Sequence, residues 1–357
     1  MSKSKLTLII DGNWLLMSRL SVLNGRYVDD LELCHYLKML MIRSISVVLR
    51  KFPKIDNIIF VADGGSWRSQ VKLPNWLEKY KEEDHIIVDY KGTRTKSEDI
   101  NWELIFSAYE EFMSVLNVTG INVFREQFIE GDDWCWWWSN YLNSQDTNCI
   151  IWTKDNDLKQ LVNMNKNNCF TTWWNNDAGL FINDFEEQEL DFLFNTSYNE
   201  NNQIWDELVK QAKNVTKINP YYIVIDKILK GDTSDNILPV ILRTSKTGSD
   251  KKFKISAKDI NYSLNINNKD EVKEYLHNLI NSKNYVNRLF KNKSEQDIID
   301  HFMFNQKLIS LNKNSYPKEI LDILESHTDY NKSKDISIAE SQIIASSNGL
   351  DSILNII

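Results

Sequence analysis

Thiol chemistry has little to work with in this sequence. Its four cysteines, Cys34, Cys135, Cys149 and Cys169, are scattered and form no CxxC pair. The five histidines, at 35, 85, 277, 301 and 327, are equally isolated. A structural zinc site needs clustered thiolates and imidazoles, so none is expected, and the cysteines read as small core residues with free thiols. No Ser–His or Cys–His pair is suggested locally, although such partners can be distant in the chain. Any metal chemistry must therefore use oxygen ligands. Also missing is an apolar run long enough to span a bilayer. The stretch from Met1 to Ile10 carries two lysines and a short apolar run, without the long apolar region and cleavage site of a signal peptide. These absences predict a cytoplasmic protein with no membrane partner.

What is present is enough for one large domain or two ordinary ones: 357 residues, 42% of them hydrophobic. The net charge of −8 first argues against a nucleic-acid partner. A chain that spends carboxylates on metal binding can be acidic overall and still carry a basic track. From Arg243 to Lys258 there are six basic residues (Arg243, Lys246, Lys251, Lys252, Lys254, Lys258) against one acid, Asp250. From Trp67 to Lys96 there are seven, diluted by five acids.

The apolar pattern predicts an α/β fold. Leu6–Ile10 and Ile58–Ala62 are continuous apolar runs that read as buried parallel strands. Residues 29–49 and 98–116 have helical spacing, 121–124 reads as a short strand, 130–142 as a helix opened by acids, and 149–153 as a further strand. Alternating elements with unalternating strands indicate a mostly parallel sheet covered by helices on both faces. The stretch 64–97 is polar, weakly periodic and too long for a routine connection, so it reads as a functional arm. With few apolar anchors, it is expected to lack fixed structure. Beyond Asp184 the sequence turns acidic, Asn-rich and then helical. The expected organisation is a domain at 1–190 and a smaller helical one at 191–357.

The acids at the strand ends carry the functional reading. LTLII runs into Asp11, IIFVA into Asp63 and CIIWTK into Asp155. In an open parallel sheet the carboxyl ends of the strands share one edge, where ligands bind. Asp157 follows Asp155 by two residues, and Glu130, Asp132 and Asp133 open the helix at 130–142. Each acid alone has a structural explanation: Asp11 and Asp63 precede glycines and suit turns, the 130–133 group complements a helix N-terminus, and Asp155 and Asp157 suit a loop and a cap. Together, unpaired carboxylates at one edge repel one another and acquire raised pKa values. Divalent cations relieve that repulsion, and an all-oxygen set suits Mg²⁺, with Mn²⁺ substituting. Two such ions about 4 Å apart are a standard apparatus for phosphodiester hydrolysis.

Six segments in order sharpen this: LIIDGNWL (8–15), IIFVADGGSWR (58–68), YKGTR (90–94), EGDD (130–133), IIWTKDNDLKQL (150–161) and ILKGDTSDN (228–236). Over roughly residues 6–240 the chain resembles the 5′-to-3′ exonuclease and flap endonuclease family, and within it the T-even phage ribonuclease H type. The resemblance implies a PIN-like, resolvase-like nuclease domain, a helical arch at 64–97 and a smaller helical DNA-binding domain at 191–357. It further implies that Asp11, Asp63, Glu130, Asp132 and Asp155 hold one Mg²⁺. Asp157, Asp232 and Asp235 would hold a second, with Asp133 an outer member. Lys91 and Arg94 match the arch cations that contact the scissile phosphate, where positive charge stabilises the transition state. The implied substrates are DNA and RNA–DNA duplexes with 5′ ends or flaps, cut in removing RNA primers during phage DNA replication in the host cytoplasm.

Two departures stand out. The arch carries an extra LPNWLEKYKEEDHIIVD (73–89), and GDTSDN is followed by ILPVILRTSKTGSDKKFK in place of a Gly-rich turn. Duplex binding would then fall to Arg243, Lys246, Lys251, Lys252 and Lys254 as phosphate contacts. Trp67 and Arg68 are candidates to meet a 5′ nucleotide. Trp134, Trp137 and Trp138 share a helical face and read as core. The apolar tail GLDSILNII (349–357) reads as a closing helix of the second domain, with docking on a sliding clamp as the alternative; a sliding clamp or a single-strand-binding protein is a candidate partner, and the chain is expected to be a monomer. The rival functions are a PIN-type nuclease of single-stranded RNA, which generally lacks the arch and KGDxxDN, and a non-catalytic DNA-binding module, which predicts a missing ligand.

Overall fold

The computed structural model describes residues 5–23, 25–26, 29–84, 87–95, 99–166, 169–183, 200–240, 242–244, 250–252, 264–281 and 294–346. The chain forms two compact units, each discontinuous in sequence. One comprises Met1–Gly65, Ser97–Ile218 and Ile323–Ile357, and the other Ser66–Lys96 and Asn219–Asp322. A single cut near residue 190 was expected. The arm joins the second unit, and the C-terminal stretch returns to the first, where Ile336, Ala339 and Ile343 are buried in its core.

The first unit is built on a mostly parallel sheet, eight-stranded among the described residues. β1 (Lys5–Asp11) lies between β2 (Asn57–Val61) and β4 (Thr147–Trp152), parallel to both. β3 (Asn122–Phe124) extends the sheet beyond β2. On the other side lie β6 (Cys169–Asn175), β7 (Leu180–Asn183) and β8 (Asn214–Lys217), with β5 (Asn163–Lys166) antiparallel to β6. Helices cover both faces, so the central strands are buried at nearly every position, polar Thr7, Asn57, Thr147 and Asn148 included.

Pleating decides which side chain meets which layer. Leu6, Leu8 and Ile10, with Ile58, Phe60, Ile150 and Trp152, enter one core with α1 (Gly12–Leu23), α2 (Asp30–Lys51) and α4 (Trp102–Val118). α2 begins at Asp29, whose carboxylate accepts the Glu32 N–H at 2.8 Å, and buries Leu33, Leu37, Met41, Ile45 and Val48 at helical spacing. The opposite parity, Ile9, Ile59, Val61, Cys149 and Ile151, is also fully buried, and α5 (Gly131–Ser144) packs against this sheet. The first unit also contains α6 (Glu200–Gln211) and α11 (Ser337–Ala345).

The tryptophans of α5 follow the expectation only in part. Trp134 and Trp138 are completely buried against Phe124, at ring distances of 5.5 and 4.4 Å. Trp136 is buried as well, while Trp137 is half-buried and donates to the His327 carbonyl at 3.0 Å. The helix is enclosed on more than one side, which a single-face reading does not capture.

The second unit has its own core. It is formed by α7 (Pro220–Lys230), α8 (Lys269–Asn281) and α9 (Glu295–Ile309), with Ile225, Ile228, Val272, Leu276, Ile299 and Phe302 inside. A small hairpin pairs β9 (Leu242–Thr244) with β10 (Asp250–Lys252). Contrary to the expectation for the arm, its described part is structured. It contains a short 3-10 turn, Trp67–Gln70, and α3 (Asn75–Asp84), with Leu77 and Val88 buried and Trp76 4.7 Å from the His301 ring. The last helix of the region, α10, spans Lys318–Ser326.

Trp134→Ala should destabilise the protein by about 3–5 kcal/mol, because the lost contacts are compounded by the cavity left behind. Denaturant unfolding of the purified variant checks this.

Candidate metal centre

Parity and register bring the first acids together. Asp11 ends β1 in register with Val61, and Asp63 lies two residues beyond Val61. Both share the parity of the sheet face opposite the core of α1, α2 and α4. Asp11 is 6% exposed; its carboxylate accepts the Trp14 N–H at 3.0 Å and the Thr153 hydroxyl at 2.7 Å. That hydroxyl oxygen also accepts the Asp155 N–H at 2.9 Å, so one threonine links two of the acids. The Asp155 carboxylate accepts the Asp157 N–H at 2.8 Å, and its carbonyl accepts from the Trp173 indole at 2.9 Å. Asp63 accepts the Gly131 N–H at 2.6 Å, which ties β2 to the first turn of α5.

That turn contributes further acids. Glu130 is buried at the N-cap, Asp132 is half-buried, and Asp133 is fully buried. The Asp133 carboxylate accepts the Glu130 N–H at 3.0 Å, so it caps the helix as the structural reading allowed. Gly64 shapes the passage out of the site. A Cβ there would stand 1.9 Å from the Glu126 carbonyl oxygen, which no side chain permits.

The electrostatics follow from crowding. Burial, then the charges of Asp155 and Asp63, push the Asp11 carboxyl up to about 7, against the lowering effect of its Trp14 and Thr153 bonds. Asp132 is held well above the carboxylate range by burial, then by Asp155, Asp11, Asp157 and Glu130. Tyr109, buried close by, is likewise raised by burial and then by Asp11 and Asp63, so its phenol stays a donor. Carboxyls this close cannot all ionise without cost. The acids offer only oxygen donors, although the buried Cys135 thiol lies close enough to feel their charge, and a carboxylate set of this kind fits a hard divalent cation such as Mg²⁺.

In the second unit the segment YKGTR is tied to KGDTSDN. The Lys91 N–H donates to the Asp235 carbonyl at 2.8 Å, and the Asn236 amide donates to the Ile87 and Asp89 carbonyls at 2.8 and 3.1 Å. Asp235 accepts the Tyr90 hydroxyl at 3.1 Å and is ion-paired with Arg94. Lys91 has its ammonium 5.0 Å from the Tyr90 ring centroid. Asp232 pairs with Lys227 at 2.5 Å and accepts from Ser234. Burial alone would raise its carboxyl, yet Lys227 and Ser234 outweigh that and hold it below the usual range. The loop closes on itself through Asp232 and Ile237, whose N–H groups and carbonyls bond mutually at 2.8 and 2.7 Å. A Cβ on Gly231, where φ is +66°, would lie 2.2 Å from the Ile237 oxygen.

Two residues expected to meet a 5′ nucleotide are buried instead. Trp67 is 4% exposed and packs on Tyr316 at 5.6 Å; Arg68 is 3% exposed and donates to the Leu308 carbonyl at 2.9 Å, its guanidinium 4.6 Å from the Trp67 ring. The aromatic–guanidinium stack and the Arg68 Nε bond hold both side chains within the second unit. Of the basic run, Arg243 and Lys251 are register partners in the hairpin and Lys252 pairs with Leu242, while Lys246 and Lys254 lie outside the described residues, as does the tail 349–357. The sequence reading missed Asn13, Tyr109, Arg125, Thr153 and Trp173. Thr153 and Asn13 were legible, since each lies two residues from a strand-end acid; Tyr109, Arg125 and Trp173 come from distant segments with no local signal.

No protein-family model and no curated protein matches the sequence. The chain is similar in structure to the T5 D15 protein co-crystallised with metal ions, with a TM-score of 0.52 and 14% identity over 94% of this chain and 100% of that one. Also similar are a T5 5′-exonuclease with bound zinc ions, at TM-score 0.49 and 14% identity over 90% and 97%, and a bacteriophage T5 D15 flap endonuclease in a pseudo-enzyme–product complex with DNA and metal ions, at 0.47 and 15% over 96% and 98%. At such identity the likeness to the T5 D15 protein shows a common α/β fold.

A raised carboxyl makes stability fall with pH. Asp11 is protonated on both sides of the unfolding equilibrium below its ordinary pKa of 3.8, and the folded state loses that advantage as pH rises through about 7. In EDTA the melting temperature should therefore decline between pH 4 and 8. Millimolar Mg²⁺, or Asp11→Asn, should flatten the decline. A pH-independent melting temperature in EDTA would contradict the crowding described here.

Proposed function

We propose that this chain is a metal-dependent, structure-specific 5′ nuclease that hydrolyses phosphodiesters near 5′ ends or flaps and leaves 5′-phosphorylated products. The observation that carries the proposal is the crowding of Asp11, Asp63, Glu130, Asp132, Asp155 and Asp157 at one edge of the sheet, with Asp11 pushed up to about 7. The fold shared with the T5 D15 protein, itself co-crystallised with metal ions, supports the same reading. Bound among these carboxylates, a pair of Mg²⁺ ions would supply the Lewis acidity that phosphodiester hydrolysis needs.

The chain's own residues prepare that chemistry. Thr153 holds Asp11 and the Asp155 backbone in one bridge. The Gly131 N–H orients the Asp63 carboxylate, and Asp133 fixes the turn that presents Asp132. By the motifs they occupy, Lys91 and Arg94 are assigned to the phosphate, and Asp232 and Asp235 to metal binding. Arg94 is committed to Asp235 in the free protein, so a phosphate must compete for it. The T-even ribonuclease H type and a role in primer removal are proposed on the sequence motifs alone.

The test is cleavage of a 5′-labelled flap, a nicked duplex and an RNA-primed duplex, with Mg²⁺ or EDTA. Wild type should release 5′-end products only with Mg²⁺. Asp155→Asn should lose at least about 100-fold in rate while still binding DNA, and Lys91→Ala about 100-fold. Binding without any cleavage would sink the nuclease assignment; cleavage of single-stranded RNA alone would favour the PIN-type enzyme.

A further inference from the structure

Asp63 stands just past the end of β2, where the strand's ladder has run out. Its backbone is held by side chains from elsewhere in the fold. The Asp63 N–H donates to the Asn13 carbonyl oxygen at 3.1 Å, and the Asp63 carbonyl accepts from Arg125 Nε at 2.8 Å. Both of these side chains are in turn secured by consecutive residues of α4. The Tyr109 hydroxyl donates to the same Asn13 oxygen at 3.2 Å, and Glu110 forms an ion pair with the Arg125 guanidinium. The N–H and the carbonyl of Asp63 are thus each held by a side chain, and α4 anchors both of those side chains.

The two arms differ in environment, which separates their contributions. Tyr109 is buried, and its phenol, raised by burial, remains a donor across the working pH range. A Cβ on Gly12 would come within 2.4 Å of the Tyr109 hydroxyl oxygen, so the helix approaches the start of α1 closely at this point. The Arg125–Glu110 pair is exposed on both sides, and an exposed pair contributes little to global stability. Its value must lie in geometry: Arg125 presents Nε to the Asp63 carbonyl and another guanidinium nitrogen to Glu110.

We infer that Asn13 and Arg125, braced by Tyr109 and Glu110, are positioning residues that hold Asp63 at the angle a divalent cation requires. The inference rests on the metal-centre reading above and extends it to groups that touch no metal. Partners that orient a metal ligand typically change affinity or activity by about 10–100-fold when removed. The two braces, Tyr109 and Glu110, are adjacent in α4, so one helix bears on both holds of the Asp63 backbone.

The experiment is Mn²⁺ binding to the DNA-free protein, read by the loss of the free-ion paramagnetic resonance signal, beside the melting temperature in EDTA. Arg125→Ala and Tyr109→Phe should each weaken Mn²⁺ binding by about 10-fold, with Arg125→Ala leaving the melting temperature within a few degrees of wild type. Arg125→Lys, which can keep one of the two contacts, should fall between. If Arg125→Ala and Tyr109→Phe both bind Mn²⁺ like wild type, the clamp is overturned. If wild type itself binds no Mn²⁺, or binds it equally well as Asp155→Asn, the metal centre fails instead, and the two outcomes are distinct.

Discussion

Burial of carboxyl groups, compounded by repulsion from their neighbours, is the constraint on which the first unit depends. Asp11 ends a central strand flanked on both sides, so its backbone cannot retreat, and its side chain is almost entirely withdrawn from water. Two hydrogen bonds, from Trp14 and Thr153, stabilise its ionised form without overcoming burial and its neighbours. A fold that tolerates this carries electrostatic strain that a counter-ion relieves.

Around that centre the sheet supplies rigidity and the helices supply direction. Strand parity sends Asp11 and Asp63 to one face, and the N-terminus of α5 delivers three more acids to it. The second unit is organised by different means. Its loop at 231–237 is closed by a backbone bridge and is tied to residues 87–94 by Tyr90, Lys91, Arg94 and Asn236. Cations and carboxylates there neutralise one another locally, so Asp232 is held low where Asp11 is held high. The same residue type, placed by two local environments, is prepared for opposite protonation behaviour.

Several readings changed once the packing was known. Trp67 and Arg68 follow a strand-end acid and look like surface residues in a polar stretch, yet they stack on each other and on Tyr316 in the second unit. The arm has few apolar residues, but Leu77 and Val88 find a core to enter. On α5 burial reaches Trp136, beyond the stripe its spacing marks, while His327 and Tyr330 of the returning C-terminal stretch pack on Trp134 and Trp138.

The first four strands, the helices α2, α4 and α5, the strand-end aspartates and the acidic turn at 130–133 were determined by the sequence alone. These are local matters: apolar runs of strand length, a period of two and helix-opening acids are visible within a few residues. Which distant side chain completes a local group was decided only by tertiary structure. Asn13 meets Tyr109, Arg125 meets the Asp63 carbonyl, and residues 323–346 rejoin the first unit, across separations that no local pattern encodes. Hydrogen-bond partners of this kind depend on the relative placement of whole elements, and so does the burial that shifts a carboxyl's pKa.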